Sequence, residues 1–93
     1  MSGVRLQEKP SPDTVVERLM AILERETEGL TVPREERGSD SIARLRLSSM
    51  TIVAFFAAVE DEFGIAWDPD MDPEVMRSFD AMARYLLANG GSK

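Results

Sequence analysis

The side chains available for chemistry in this chain are hydroxyls and carboxylates, because the sequence contains neither cysteine nor histidine. Their absence excludes thiolate nucleophiles, Ser-His-Asp triads, disulfides and nearly all zinc and haem sites. The hydroxyls of greatest interest belong to Ser48 and Ser49, which precede Met50 at the start of an apolar stretch. The sequence does not show the catalytic groups that an enzyme would need, so we predict that the protein is not an enzyme.

Two acidic clusters have a spacing that could form a site. Asp68, Asp70 and Asp72 occupy positions one, three and five of a calcium loop. Position six is Pro73 where the loop needs glycine, and position twelve is Phe79 where it needs glutamate, so we predict no metal site. The second cluster, Glu60-Asp61-Glu62, has no nucleophilic companion and is interpreted as a recognition surface.

The charge balance narrows the class of partner. Eleven basic residues against seventeen acidic ones give a net charge of −6, which repels nucleic acid and anionic membrane surfaces. Residues 60–80 hold eight acidic side chains against Arg77 alone, so we expect that segment to steer basic partner proteins. The longest apolar run, Ile52–Val59, is too short to span a bilayer, and the N-terminus lacks an export signal, which predicts a cytoplasmic protein.

Length and composition predict one small globular domain, since the 93 residues are 43% apolar and 30% charged. Ser11 can cap a first helix that begins at Pro12, and its apolar residues recur at i, i+3, i+4 and i+7. We expect this helix to extend to about Glu28, where Gly29 ends it. Residues 29–47 show no sustained period and are predicted to form a long loop.

Further start and stop signals predict three more helices. The strongest helix covers residues 49–63, with Ser48 as its N-cap and Gly64 as its stop. A short third helix follows the Asp72-Pro73 signature, and Ser78 caps a fourth helix that ends before Asn89-Gly90-Gly91. With no strand pattern, the prediction is an all-α, small four-helix bundle of three longer helices and a short third one. Residues 11–88 form the domain, residues 1–10 a disordered tail and residues 89–93 a flexible tail.

The second helix carries more apolar surface than one face requires. One stripe, predicted to face the core, consists of Ile52, Phe55, Phe56, Val59 and Phe63. A second stripe consists of Met50, Val53, Ala54 and Ala57. Either the helix is buried on two sides or the second stripe contacts a partner. Periodicity alone favours burial on two sides.

The segment Leu45–Met50 and the helix that follows it resemble the phosphopantetheine attachment region of acyl carrier proteins. That family has Leu-Gly-x-Asp-Ser-Leu, then a helix ending in an acidic cluster before Phe-Gly-Ile. Glu60–Ile65 matches this ending without a gap from Ser49, and Arg77–Leu86 is similar to the last helix of the family. The resemblance covers about residues 11–88.

The resemblance implies a free-standing acyl carrier protein of acyl-carrier fold, expected to be a monomer. Ser49 takes the position of the serine esterified by 4′-phosphopantetheine, the covalent cofactor on which acyl groups are held as thioesters. The implied partners are a phosphopantetheinyl transferase and acyl-loading and acyl-processing enzymes of ligase, acyltransferase or ketosynthase type. We expect the residues that contact partners to be Met50, Val53, Ala54, Ala57, Glu60 and Asp61.

The sequence departs from the family pattern at two positions beside the site. Ser48 replaces the usual aspartate and Arg46 the usual glycine, while Ala54 lies at a position that is often acidic. These departures favour polyketide or other specialised biosynthesis over fatty acid biosynthesis. Two alternatives stay open: an aminoacyl or peptidyl carrier protein, and a non-covalent helical interaction module that has lost the arm.

Overall fold

The computed structural model describes residues 11–89, which contain three α-helices and, within that range, no strand. The helices are α1 (Pro12–Glu26), α2 (Ser49–Phe63) and α3 (Phe79–Asn89). Two short 3₁₀ turns, Ala43–Leu45 and Pro73–Met76, lie in the connections. The predicted all-α class is therefore confirmed. Asn89, predicted to begin a flexible tail, is instead the last residue of α3. The predicted tail at residues 1–10 and the rest of the C-terminal tail, residues 90–93, lie outside the described residues.

The predicted third helix is a single 3₁₀ turn, so the count of four helices is not what the structure has. Asp72 caps the turn by accepting a hydrogen bond from the Glu74 N–H at 2.9 Å. Within the turn the backbone bonds span three residues, with the Val75 N–H donating to the Asp72 carbonyl at 2.9 Å and the Arg77 N–H to the Glu74 carbonyl at 3.0 Å. The turn cannot lengthen, because Ser78 already caps α3 through the Ala81 N–H at 3.2 Å.

Helix α1 begins as predicted and ends two residues earlier than expected. Ser11 is its N-cap and accepts a hydrogen bond from the Thr14 N–H at 3.2 Å. At the other end Thr27 has an extended backbone, and its hydroxyl donates to the Leu23 carbonyl. This bond satisfies a carbonyl of the last turn, so Thr27 ends the helix before Gly29 is reached. The buried face of α1 consists of Val15, Val16, Leu19, Met20, Ile22 and Leu23.

Helix α2 has the predicted bounds. The Ser48 hydroxyl accepts a hydrogen bond from the Thr51 N–H at 3.2 Å. Gly64 follows the last turn in the left-handed conformation, at φ 67°, which glycine adopts without the steric cost of a side chain. Of the apolar stripe predicted to face the core, Phe55 and Val59 are fully buried. The other three members, Ile52, Phe56 and Phe63, are half-buried.

The core lies where α1 packs against both α2 and α3. Phe55 of α2 and Phe79 of α3 meet edge to face, with ring centroids 6.5 Å apart. The largest fully buried side chains are Phe55, Phe79, Leu19, Met20, Leu23, Met82 and Leu86. Full burial of a side chain of this size contributes about 1.5–3 kcal/mol, so these residues account for the close packing of three short helices.

Trp67 closes one side of this core. Its indole N–H donates to the Phe56 carbonyl at 3.1 Å, and its ring stacks on Tyr85 with centroids 5.7 Å apart. The Tyr85 hydroxyl in turn accepts a hydrogen bond from the Asp68 N–H at 3.2 Å. Trp67 therefore covers the core and also joins the chain after α2 to α3.

The connection between α1 and α2 is tied to the rest of the molecule. The N–H groups of Ile42 and Ala43 both donate to the Arg77 carbonyl, at 2.8 and 3.4 Å. Val32 and Ile42 are buried in the core. These distant contacts explain the 3₁₀ turn Ala43–Leu45, which the sequence did not predict.

Arg37 links this connection to the first turns of two helices. Its Nε lies 2.6 Å from Asp80 Oδ1 in α3, and its Nη1 lies 2.8 Å from Asp13 Oδ1 in α1. Hydrogen bonding to Asp80 and then to Asp13 raises the pKa of the Arg37 guanidinium. Both carboxylates also lie near helix N-termini, where negative charge is favourable.

Glu24 anchors the beginning of the same connection. Its carboxylate accepts hydrogen bonds from Arg34 Nη1 at 2.8 Å and from the Val32 N–H at 2.7 Å. The bond from Arg34, followed by the bond from Val32, lowers the pKa of Glu24 below its ordinary value. The chain that leaves α1 is therefore held by a charged carboxylate.

Candidate functional site

Ser49 is the first residue of α2 and is exposed, as are its neighbours Ser48 and Met50. The Ser48 hydroxyl is committed to the helix cap, bonding to the Thr51 N–H at 3.2 Å and to the Thr51 hydroxyl at 3.0 Å. Within residues 11–89 the Ser49 hydroxyl makes no such bond. The two adjacent serines are therefore not equivalent, because only the Ser48 hydroxyl is bonded within the described residues.

The backbone around Ser49 suits a negatively charged group. The first intrahelical bond of α2 runs from the Ile52 N–H to the Ser48 carbonyl at 3.0 Å. The N–H groups of Ser49 and Met50 precede it and have no acceptor among the described residues. Unpaired N–H groups and the positive end of the helix dipole favour an anion such as a phosphodiester.

Arg46 shapes the turn that leads into α2. Its backbone is left-handed, at φ 54° and ψ 47°, and its N–H donates to the Ala43 carbonyl at 3.2 Å. A side chain in this conformation costs roughly 1–2 kcal/mol relative to the right-handed region. The Arg46 side chain is exposed and has no ion pair with any described residue. Nearby Arg44 has only a contact of 3.7 Å with Glu36.

Four exposed residues follow Ser49 along one face of α2, and we call them the exposed α2 stripe: Met50, Val53, Ala57 and Asp61. Their spacing of three or four residues places them in one row. Met50 is 84% exposed and Val53 is 66% exposed, the two large apolar side chains that the described residues leave open to solvent. Burial of α2 on two sides, which periodicity favoured, is therefore wrong.

Ala54 lies beside this row and is half-buried. It lines a surface groove of about 490 Å³ between α1 and α2, together with Arg25 and Asp61 among others. It also borders the small apolar depression formed with Ser49, Met50 and Val53. Ala54 is thus a half-buried residue beside the exposed α2 stripe, whereas Met50 and Val53 are the side chains of the stripe that extend into solvent.

The three acidic residues at the end of α2 have different roles. Glu60 Oε2 accepts a hydrogen bond from the Trp67 N–H at 3.3 Å. Glu62 pairs with Arg18 at 2.5 Å, and the Arg18 guanidinium lies 4.9 Å from the centre of the Phe63 ring. Asp61 is exposed and has no ion pair among the described residues. Asp61 is therefore the member of the cluster whose charge is available to a partner.

Much of the acidic segment at residues 60–80 serves the fold. Asp72 caps the second 3₁₀ turn, and Asp80 pairs with Arg37. Glu74 Oε2 accepts from the Asp40 N–H at 3.4 Å, while Asp40 pairs with Arg77 at 2.7 Å. Within residues 11–89 no group of three or more acidic side chains is placed to hold a metal ion.

Ser49, Met50 and Val53, which the sequence predicts as site residues, are all exposed in the structure. The hydrogen bond of Glu60 and the ion pair of Glu62 were not predicted. No helix in the described part of the chain is long and apolar enough to cross a bilayer. Comparison with models of known families, with curated proteins and with solved structures finds no match.

Proposed function

We propose that this protein is an acyl carrier protein, in which the Ser49 hydroxyl is esterified by 4′-phosphopantetheine. The observation that carries the proposal is the difference between the two serines. The Ser48 hydroxyl is bonded to Thr51, whereas the Ser49 hydroxyl is exposed and has no such bond among the described residues. The motif around Ser49 resembles the attachment region of that family, and the N-terminus of α2 favours the phosphodiester that esterification would create. The terminal thiol of the arm would then hold an acyl group as a thioester.

In this mechanism the chain presents the Ser49 hydroxyl, and later the arm, to partner enzymes. The partner enzymes catalyse the reactions. None of the described residues provides a base that contacts the Ser49 hydroxyl, so a phosphopantetheinyl transferase must activate it. Ligase, acyltransferase or ketosynthase enzymes would load and process the cargo. Met50 and Val53 would meet these enzymes beside the arm, since large exposed apolar side chains on one face are typical of interaction surfaces.

The cargo and pathway are proposed on the residues that depart from the family pattern. Arg46 adds positive charge beside Ser49, Ser48 caps α2 without charge, and Ala54 is neutral. We therefore place the protein in polyketide or other specialised biosynthesis, as a cytoplasmic monomer that carries acyl intermediates. Aminoacyl or peptidyl cargo is the alternative within the same mechanism, and the mass of the loaded protein separates the two.

Coexpression with a phosphopantetheinyl transferase, followed by intact-protein mass spectrometry, tests the proposal. The wild-type chain should gain the mass of one 4′-phosphopantetheinyl group. Ser49→Ala should gain none, while Ser48→Ala should still be modified despite losing a cap of about 1 kcal/mol. An unmodified wild-type chain, or modification of Ser49→Ala, would refute the assignment.

The exposed α2 stripe supports a second candidate function. Met50 and Val53 can contact a partner whether or not Ser49 carries an arm, and Ser48 lacks the charge of the family aspartate. A non-covalent helical interaction module would therefore keep the same surface. In that case the chain stays unmodified in the coexpression experiment, and the Ser49→Ala variant binds partners as tightly as the wild-type chain does.

A further inference from the structure

The charged residues that precede α2 are basic, although the chain as a whole is acidic. Arg44 and Arg46 precede Ser49, and no charged residue occurs from Leu47 to Val59. Although the chain is acidic as a whole, at −6, the charged residue nearest in sequence to Ser49 and Met50 is therefore Arg46.

Three observations limit the acidic residues that could act at this end. Glu60 is bonded to the Trp67 N–H, and Glu62 is paired with Arg18. Asp61 lies twelve residues after Ser49, which is about 18 Å along a helix. Screening acts over about 8 Å at physiological salt, so Asp61 has little effect at Ser49 and Met50. Arg46 is exposed, lies four residues before Met50 and has no ion pair among the described residues.

We propose that Met50 and Val53, the part of the exposed α2 stripe beside Ser49, bind an acidic amphipathic helix of a partner protein. Its apolar side chains would cover Met50 and Val53, and its carboxylates would face Arg46. A guanidinium suits this role because it pairs with carboxylates through two parallel hydrogen bonds. This inference rests on the proposed function only in placing the contact beside Ser49, and it adds the chemistry of the partner at that point.

The apolar part of the contact follows from exposure. Met50 and Val53 are 84% and 66% exposed, and they are one helical turn apart. A partner helix reads such a surface with apolar side chains at the same spacing. Extended polyanions such as anionic membranes fit less well, because a broad negative surface would also meet the acidic segment at residues 60–80.

Two synthetic helical peptides test the proposal, each with the same leucine face, one flanked by glutamate and the other by lysine. Each is titrated at physiological salt into the unmodified, isotope-labelled full chain, and amide chemical shifts are followed. The glutamate peptide should shift the amides of Arg46, Met50 and Val53 and bind about fivefold tighter than the lysine peptide, the effect of one rim charge pair. Equal or tighter binding of the lysine peptide at these amides would overturn the proposal.

Arg46→Glu and Arg84→Glu form a matched pair of variants, since both remove an exposed arginine and change the net charge equally. Arg46→Glu should abolish the preference for the glutamate peptide, whereas Arg84→Glu on α3 should keep it. Arg46→Gln provides the same test if the charge reversal disturbs the fold. An equal loss in Arg84→Glu, or binding of phosphatidylserine vesicles that depends equally on Arg46, would contradict a protein partner of this kind.

The same preparations separate this inference from the proposed function. A chain that accepts the arm on Ser49 but shows no peptide preference refutes only the acidic partner. A chain that shows the preference but is never modified refutes the carrier assignment and leaves the acidic partner standing.

Discussion

The Ser41 hydroxyl accepts a hydrogen bond from the Phe79 N–H at 3.1 Å, across 38 residues of sequence. Phe79 is the first residue of α3, so its N–H has no acceptor within the helix. Ser41 is only 4% exposed, and water therefore has little access to replace the bond. The connection between α1 and α2 thus supplies part of the cap of α3.

Replacing Ser41 with alanine should destabilise the protein by about 1–3 kcal/mol, because the Phe79 N–H is left buried without an acceptor. Urea denaturation of the two proteins measures the difference. Ser39→Ala is the control, since Ser39 is exposed in the same connection and should change stability by less than about 0.5 kcal/mol. Equal losses in both variants would show that the bond to Phe79 is not the cause.

Truncation of Phe55 should lower the free energy of unfolding far more than truncation of Val53. Phe55 is fully buried, so Phe55→Ala should cost about 3–5 kcal/mol. Val53 is 66% exposed, so Val53→Ser should change stability by about 0.5 kcal/mol or less. Thermal melts of both variants measure the contrast. A large loss in Val53→Ser would mean that the exposed α2 stripe is covered within the protein itself.

Stability should depend on pH through Glu24, whose pKa is lowered in the folded protein by Arg34 and Val32. A carboxylate with a depressed pKa stabilises the fold fully above its unfolded pKa, and that contribution is lost as the pH falls through the folded pKa. Glu24→Gln should therefore be less stable than wild type at pH 7, with the difference shrinking towards pH 3.

Denaturation of Glu24→Gln and wild type across this pH range measures the effect. Glu28→Gln serves as the control for loss of one negative charge, because Glu28 is exposed and has no ion pair among the described residues. A difference between Glu24→Gln and wild type that stays constant from pH 7 to pH 3 would contradict a stabilising role for the Glu24 charge.

Glu60 and Asp61 are adjacent and carry the same charge, yet their neutralisation should differ. Glu60→Gln weakens the hydrogen bond from the backbone N–H of Trp67. This change should shift tryptophan emission and lower the free energy of unfolding by about 1 kcal/mol. Asp61→Asn should change neither, because Asp61 is exposed. Fluorescence spectra and melts of the two variants provide the comparison, and identical responses would disprove the separate roles.

The accuracy of the sequence predictions follows the range of the interactions. Helix α2 was bounded correctly because Ser48 and Gly64 act on backbone groups within the helix they flank. The turn at Ala43–Leu45 was missed because its N–H groups reach the carbonyl of Arg77, far along the chain. The short third segment was expected to be a helix, since cap and proline signals fix where a turn starts but not how long it runs.

The candidate site shows the same limit. Ser49 is proposed as the site because the motif around it is contiguous in sequence, and its place at the start of α2 follows from the Ser48 cap. The exposure of Met50 and Val53 could not be predicted, since α2 has apolar residues on both faces and periodicity does not say which face the other helices cover. The commitment of Glu62 depends on Arg18, which lies in a different helix and carries no sequence signal for the pairing.

The stacking of Trp67 on Tyr85 gives the protein an internal optical gauge. These are its single tryptophan and single tyrosine, and their ring centroids are 5.7 Å apart. At so short a separation, light absorbed by the tyrosine is passed to the indole, and the folded chain emits as a tryptophan alone. When α3 separates from the segment that follows α2, tyrosine emission should appear. The emission spectrum therefore reports whether Trp67 and Tyr85 are in contact, without any added label.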